Sequence, residues 1–104
     1  MELTPAQVKA RMNSGETLAL LDCREPMEWE FGHIAGALHI PMRQTPGRLA
    51  ELPSDVPIVV YCHHGIRSLS VATYLRENGF DDAWSLAGGI DAWSTEIDHA
   101  IPRY

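Results

Sequence analysis

Apolar and polar positions alternate in blocks along this chain, and the blocks change period as they go. Thr4-Pro5-Ala6-Gln7 supplies a capping threonine, a proline at the first helical position and a glutamine placed for a capping box. This predicts a helix that ends near Gly15. Leu18–Asp22 (LALLD) is a short apolar run, as expected of a buried strand. Pro26–Gly32 (PMEWEFG) predicts a short helix, again with proline first, and Ala37–Ile40 a short strand closed by Pro41. Thr45–Leu52 (TPGRLAEL) predicts another short helix, stopped by Pro53. Ile58–Tyr61 (IVVY) is β-branched and aromatic, hence a strand. Ile66, Leu69, Val71, Ala72 and Leu75 fall near helical spacing over Ile66–Asn78, and Gly79 stands where a C-cap glycine belongs. Ala83–Leu86 (AWSL) is a further strand, and Gly88-Gly89 opens a last turn or helix carrying Trp93. Near-continuous apolar strands alternating with helices predict an α/β fold, an open sheet covered on both faces. Ligands of such sheets sit outside the carboxyl ends of the strands.

Composition narrows the function classes. The 104 residues suit one compact domain, with 45% apolar and 21% charged residues. No apolar run approaches the ~18 residues of a membrane span, and the N-terminal stretch lacks the pattern of a secretory signal. A cytoplasmic protein is expected, with no membrane partner. Net charge is −6, and the eight basic residues are scattered, so no basic stripe is present for a nucleic acid. Cys23 and Cys62 each follow an apolar run and there is no C-x-x-C, so free thiols are expected rather than a structural disulfide or a zinc knuckle.

Cys62 lies at the joint between the IVVY strand and the next helix, followed by His63, His64, Gly65, Ile66, Arg67 and Ser68. A nucleophilic cysteine acts as its thiolate, which is scarce at neutral pH unless stabilised. A helix start near Ile66 or Arg67 leaves unpaired N–H groups facing back at the loop, and its dipole contributes roughly 0.3–1 kcal/mol toward an anion. Arg67 adds a permanent positive charge, and Gly65 lets the backbone curl so that successive amides converge. The expectation is a low-pKa thiolate at the floor of a small anion-binding bowl. The competing reading is a buried cysteine that merely ends a strand. His63 and His64 either act as acid–base groups, ligate zinc with Cys62, or shape the loop wall and raise the local positive potential; adjacent residues point apart, which favours the last.

Other polar residues are read structurally. Cys23 is a small buried residue or a second thiol that resolves a persulfide or disulfide. Asp22, Arg24, Glu25 and Glu28 form a charge cluster in which Arg24 and Glu28, four apart, pair if the segment is helical. His33, His39 and His99 are structural or surface residues; Trp29, Trp84 and Trp93 are packing residues; Arg43 stands near a pocket mouth.

With these residues in place, the chain resembles the rhodanese family of sulfurtransferases in its small single-domain form, over nearly its whole length. Asp22–Pro41 (DCREPMEWEFGHIAGALHIP) is similar to the family's D-x-R-E…G-H-I-x-G-A-x-x-I-P signature. Ile58–Leu75 is similar to its Y-C-x-x-G-x-R-S-x-x-A-x-x-L motif, and Asn78–Phe80 with Leu86–Trp93 to its G-F…L-x-G-G-x-x-x-W ending. One departure is Cys23, where the family often has a β-branched residue.

The resemblance implies a single rhodanese-like domain over residues 1–104, with an open, mostly parallel sheet of about five strands and helices on both faces. It implies a Cys62 nucleophile that attacks a small anionic sulfur donor such as thiosulfate and carries the sulfur as a persulfide. The loop of His63, His64, Gly65, Ile66, Arg67 and Ser68 would bind the substrate, and cyanide or a thiol, a protein thiol included, would accept the sulfur. No metal or organic cofactor is implied. Two other readings follow from relatives: a sulfur-relay or regulatory docking domain, and a phosphatase or arsenate reductase. Relatives acting on phosphate or arsenate separate Cys and Arg by five residues; here four intervene, His63 to Ile66, and the shorter loop suits sulfur.

Overall fold

A computed structural model describes residues 1–104. The strands are β1 (Glu2–Leu3), β2 (Ala19–Asp22), β3 (Leu38–His39), β4 (Ile58–Tyr61) and β5 (Ala83–Leu86). The α-helices are α1 (Pro5–Asn13), α2 (Pro26–Phe31), α3 (Ile66–Glu77) and α4 (Gly89–Glu96). All five strands are parallel, in the order β1-β5-β4-β2-β3.

The central strands read as continuous apolar runs because each serves two layers. Leu21, Ile58 and Val60 face Val71, Ala72 and Leu75 of α3. Their neighbours Leu20, Val59 and Tyr61 face Val8 of α1 and Ile90 and Trp93 of α4. Each fully buried aliphatic or aromatic side chain contributes about 1.5–3 kcal/mol, so this two-sided sheet is the main source of stability. β4 lies at the centre and brings its carboxyl end, with Cys62 just beyond, to the middle of one sheet edge. No helix is long and apolar enough to cross a membrane.

The helix ends follow local chemistry. Thr4 Oγ1 accepts the Gln7 N–H at 3.1 Å and Gln7 Oε1 accepts the Thr4 N–H at 2.9 Å, completing the expected capping box. That helix ends at Asn13, one turn-residue pair short of Gly15. α3 stops at Glu77, with Gly79 at φ +94° just beyond its cap.

Two elements differ from the sequence reading. Thr45–Leu52 is not one helix; Met42–Gly47 and Leu49–Glu51 form two 3-10 segments. Pro46 and Gly47 lie inside the stretch, and neither sustains an α-helical ladder. β1 is an additional strand of only two residues, too short for any periodicity, held by Ala87 N–H to Leu3 C=O (2.8 Å) and Ser85 N–H to Met1 C=O (2.9 Å).

Candidate active site

Cys62 leaves β4 as the chain turns toward α3, and it is 1% exposed. Gly65 takes the left-handed conformation, φ +108°, that the turn requires, and it forms the N-cap of α3. The curl aims the Gly65 N–H at Cys62 Sγ (3.1 Å) and the Ser68 N–H at the same atom (3.4 Å). Ser68 Oγ lies 3.4 Å from Sγ and 2.7 Å from Ser85 Oγ. Ser85, on β5, is fully buried, so its hydroxyl can donate to Ser68 and free the Ser68 hydroxyl to donate to an anionic sulfur.

The loop is held from behind. The Ile90 N–H donates to the Cys62 carbonyl (2.8 Å) and the Asp91 N–H to the His63 carbonyl (3.2 Å). The first turn of α4 thus takes up the loop's carbonyls while the loop's amides face the sulfur. This approach requires glycine at position 89: φ is +63°, and a Cβ there would collide with the Cys62 and His63 carbonyl oxygens.

Cys23 is the neighbour of Cys62 across the strands. The pairs Ala19↔Ile58 to Asp22↔Tyr61 run in register, and the Cys23 N–H continues the ladder to the Tyr61 carbonyl (3.1 Å). Cys23 and Cys62 therefore follow matched positions, both in the core layer under α3, both unpaired as disulfides. The Cys23 thiol is the nearest titrating neighbour to act on Cys62. Its influence, then the Ser68 hydroxyl, the Ser68 N–H and the Gly65 N–H, outweigh burial and hold the Cys62 thiol down at about 4. The same pairing, reinforced by burial and by the charge of Asp22, pushes the Cys23 thiol far up. The two shifts run in opposite senses, the Cys62 thiol down and the Cys23 thiol up.

The charge cluster is wired differently from the sequence reading. Arg24 does not pair with Glu28. It donates Nε and Nη2 to Asp22, the closest bond 2.7 Å, within a pair that is 0% exposed at both residues. Its Nη2 also reaches the Gly32 carbonyl (2.6 Å) and its Nη1 the Tyr104 hydroxyl (3.0 Å). Glu28 turns instead to Arg67, by bonds of 2.7 and 2.9 Å, and accepts the Tyr104 hydroxyl (2.5 Å). Arg67 holds the Glu28 carboxyl down at about 2, against burial and with help from Tyr104. The Arg67 charge that the sequence assigned to the bowl alone is thus shared with a carboxylate.

The remaining loop residues line the rim. The His63 ring stacks on Tyr104 (3.8 Å, 10°) and on His64 (3.8 Å). Ile66 is 82% exposed, at the outer face of the α3 N-terminus. His33 and His39 stack on Trp29, and His39 Nε2 bonds the Arg24 carbonyl (2.8 Å), which makes all three packing residues. Ser85, Gly89 and Tyr104 were not singled out as site residues from the sequence. Gly89 belongs to the Gly88-Gly89 pair that opens the last turn, and the structure gives it φ +63°; Ser85 and Tyr104 carry no local signal. The surface cavities lie elsewhere, one bounded by Met42, Thr45 and Tyr74 and another by Ser94, His99 and Arg103. At Cys62 itself two backbone amides, of Gly65 and Ser68, lie within 3.4 Å of the sulfur.

The family model for the rhodanese-like domain matches residues 4–96. The chain is 38% identical over 104 residues to the probable adenylyltransferase/sulfurtransferase MoeZ of Mycobacterium tuberculosis, covering 98% of this chain and 26% of that protein. It is 36% identical to the thiosulfate sulfurtransferase GlpE of Stutzerimonas stutzeri, covering 93% of this chain and 91% of that protein. The crystal structure of a rhodanese-like domain protein from Staphylococcus aureus superposes with a TM-score of 0.86 at 28% identity, covering 100% of this chain and 99% of that one.

Proposed function

The chain belongs to the rhodanese-like domain family of sulfurtransferases, and we propose that residues 1–104 act as one unit that moves sulfane sulfur from a small anionic donor to a thiol or cyanide through a Cys62 persulfide. The observation that carries this reading is the set of groups around one sulfur atom: the Gly65 N–H at 3.1 Å, the Ser68 N–H at 3.4 Å and the Ser68 hydroxyl at 3.4 Å. Together they supply a thiolate at neutral pH without any external base.

In the first half-reaction the Cys62 thiolate attacks the outer sulfur of a donor such as thiosulfate. A new S–S bond forms, the donor's S–S bond breaks, and sulfite leaves with the electron pair. The outer persulfide sulfur carries the charge into the cradle of amides between His63 and Ser68. Arg67 orients the donor from the rim, and its pairing with Glu28 fixes the guanidinium in place. In the second half-reaction a thiol, a protein thiol included, or cyanide attacks the outer sulfur and restores the thiolate, a ping-pong cycle. The four-residue spacing between Cys62 and Arg67 supports sulfur as cargo rather than a tetrahedral phosphate. Two thiols side by side suit a reducing compartment such as the cytoplasm.

The test is thiosulfate:cyanide transfer with wild type and Cys62→Ser, followed by mass spectrometry after thiosulfate alone. Wild type is expected to turn over and to gain one sulfur on Cys62, and Cys62→Ser to do neither. Equal activity in the two proteins overturns the reading.

A further inference from the structure

The mechanism above gives Cys23 no chemical step, yet its sulfur is placed for one. Cys23 and Cys62 succeed the register pair Asp22↔Tyr61 on adjacent parallel strands, and both enter the same core layer. Adjacent strands lie roughly 4.8 Å apart, within the ~4.4–6.8 Å between Cα atoms that a disulfide spans. Both side chains belong to one buried cluster beneath α3, and the Cys23 N–H bonds the Tyr61 carbonyl that immediately precedes Cys62 (3.1 Å). We propose that Cys23 is a resolving thiol: when no acceptor arrives, it discharges the Cys62 persulfide as sulfide and leaves a Cys23–Cys62 disulfide. This rests on the persulfide reading above.

The step balances without an outside oxidant. Cys23 Sγ attacks Cys62 Sγ, the inner sulfur of the persulfide. The Cys23–Cys62 bond forms, the bond to the outer sulfur breaks, and the outer sulfur leaves as hydrosulfide with the electron pair and the proton that Cys23 held. Two thiol sulfurs are oxidised to the disulfide, and one sulfane sulfur is reduced to sulfide. An external dithiol then reduces the disulfide and returns the enzyme.

Geometry selects the inner sulfur. Cys23 approaches from the end of β2, whereas the Gly65 and Ser68 amides approach from the loop that opens α3 and draw the outer sulfur toward themselves. Loading changes the proton balance in the required direction. In the free enzyme the negative charge sits on Cys62 Sγ beside Cys23 and keeps the latter protonated. In the persulfide that charge moves one bond outward, and the departing sulfur takes the proton. Both thiols are 1% exposed, so Cys23 reaches the inner sulfur where a bulky external thiol does not.

The experiment loads the full chain with one equivalent of thiosulfate, with no acceptor or reductant, and follows released sulfide and the mass of alkylated peptides. Cys23→Ser is the comparison, because it removes the nucleophilic sulfur and keeps a side chain of similar size and polarity; Cys23→Ala is a second variant of the same design. In wild type, sulfide is expected to approach one equivalent per chain as a Cys23–Cys62 disulfide accumulates. In both variants the persulfide is expected to last at least tenfold longer, with no disulfide. A wild-type persulfide as long-lived as that of Cys23→Ser, or the added sulfur found on Cys23, overturns the inference while leaving the proposed function standing. No added sulfur on any of the three proteins overturns the proposed function, and the inference with it.

Discussion

Arg67 of α3 and Glu28 of α2 meet through two parallel hydrogen bonds, Nη1 to Oε1 at 2.7 Å and Nη2 to Oε2 at 2.9 Å. A fork-to-fork pair of this kind fixes geometry as well as charge. It ties the first turn of α3, which forms the wall of the Cys62 bowl, to a helix outside the sheet. It also neutralises much of the positive potential that Arg67 would otherwise offer an anion. Glu28→Gln is therefore expected to unmask Arg67: the KM for thiosulfate falls several-fold and its salt dependence steepens. Arg67→Gln is expected to raise the KM by tenfold or more. Steady-state kinetics at two ionic strengths checks both; two variants that change only thermal stability would reduce the pair to a structural clamp.

Asp22 and Arg24 form a second, buried pair, with every Arg24 nitrogen of the guanidinium engaged. Removing one partner leaves a charge without solvent or counter-ion, a cost of about 3–5 kcal/mol. Arg24→Met and Asp22→Leu alone should each lose that much in urea unfolding. The double variant should recover a large part of it, since an apolar pair leaves no stranded charge. A double variant as damaged as the sum of the singles would show that the Gly32 and Tyr104 contacts matter more than the pair.

Gly65 and Gly89 both carry positive φ, but they should respond differently to alanine. At Gly65 an added Cβ meets Gly88 N at 3.4 Å and Leu86 O at 3.5 Å, which is ordinary contact. Gly65→Ala should cost about 1–2 kcal/mol, the penalty of a left-handed alanine. At Gly89 the Cβ runs into the carbonyls of Cys62 and His63, which are also the acceptors that seat the loop on α4. Gly89→Ala is expected to cost more stability and to abolish transfer in protein that remains folded. Urea titration and sulfur transfer on the same samples separate the two effects.

The α/β alternation is legible in the sequence because LALLD and IVVY are buried on both faces, and burial on both faces erases alternation. The bowl is legible because its parts are contiguous from Cys62 to Ser68. What escapes is whatever depends on residues brought together by the fold. Glu28 finds Arg67 thirty-nine positions away rather than Arg24 four positions away, because Asp22 claims Arg24 through the tighter local fork. Tyr104 reaches His63 and Glu28 from the end of the chain, and Ser85 reaches Ser68 across the sheet. The placement of Cys23 beside Cys62, which decides between its two sequence readings, becomes visible only once the register of β2 against β4 is known. The stretch Thr45–Leu52 misleads because Arg48–Leu52 is helical in composition, whereas Pro46 and Gly47 just before it are not.

The Cys62 titration follows from the donor set. With its thiol held at about 4, the rate of alkylation by iodoacetamide should rise with pH around a midpoint near 4, far below the ordinary thiol value of 9.0. Ser68→Ala removes the hydroxyl donor and should move the midpoint upward, and Cys23→Ala should move it further, since the Cys23 thiol is the largest contributor. A charge-assisted hydrogen bond of about 1.5–3 kcal/mol corresponds to a shift of roughly one to two pH units. The same titration couples to folding. The folded thiol ionises more readily than the unfolded one, so its contribution to stability is fully present above the unfolded thiol pKa. It declines as pH falls toward 4 and is gone below it. The stability difference between wild type and Cys62→Ala should accordingly widen from pH 5 to pH 8. A difference that stays constant over that window, beside an alkylation midpoint above 7, would mean that Cys62 is protonated at neutral pH and needs an external base.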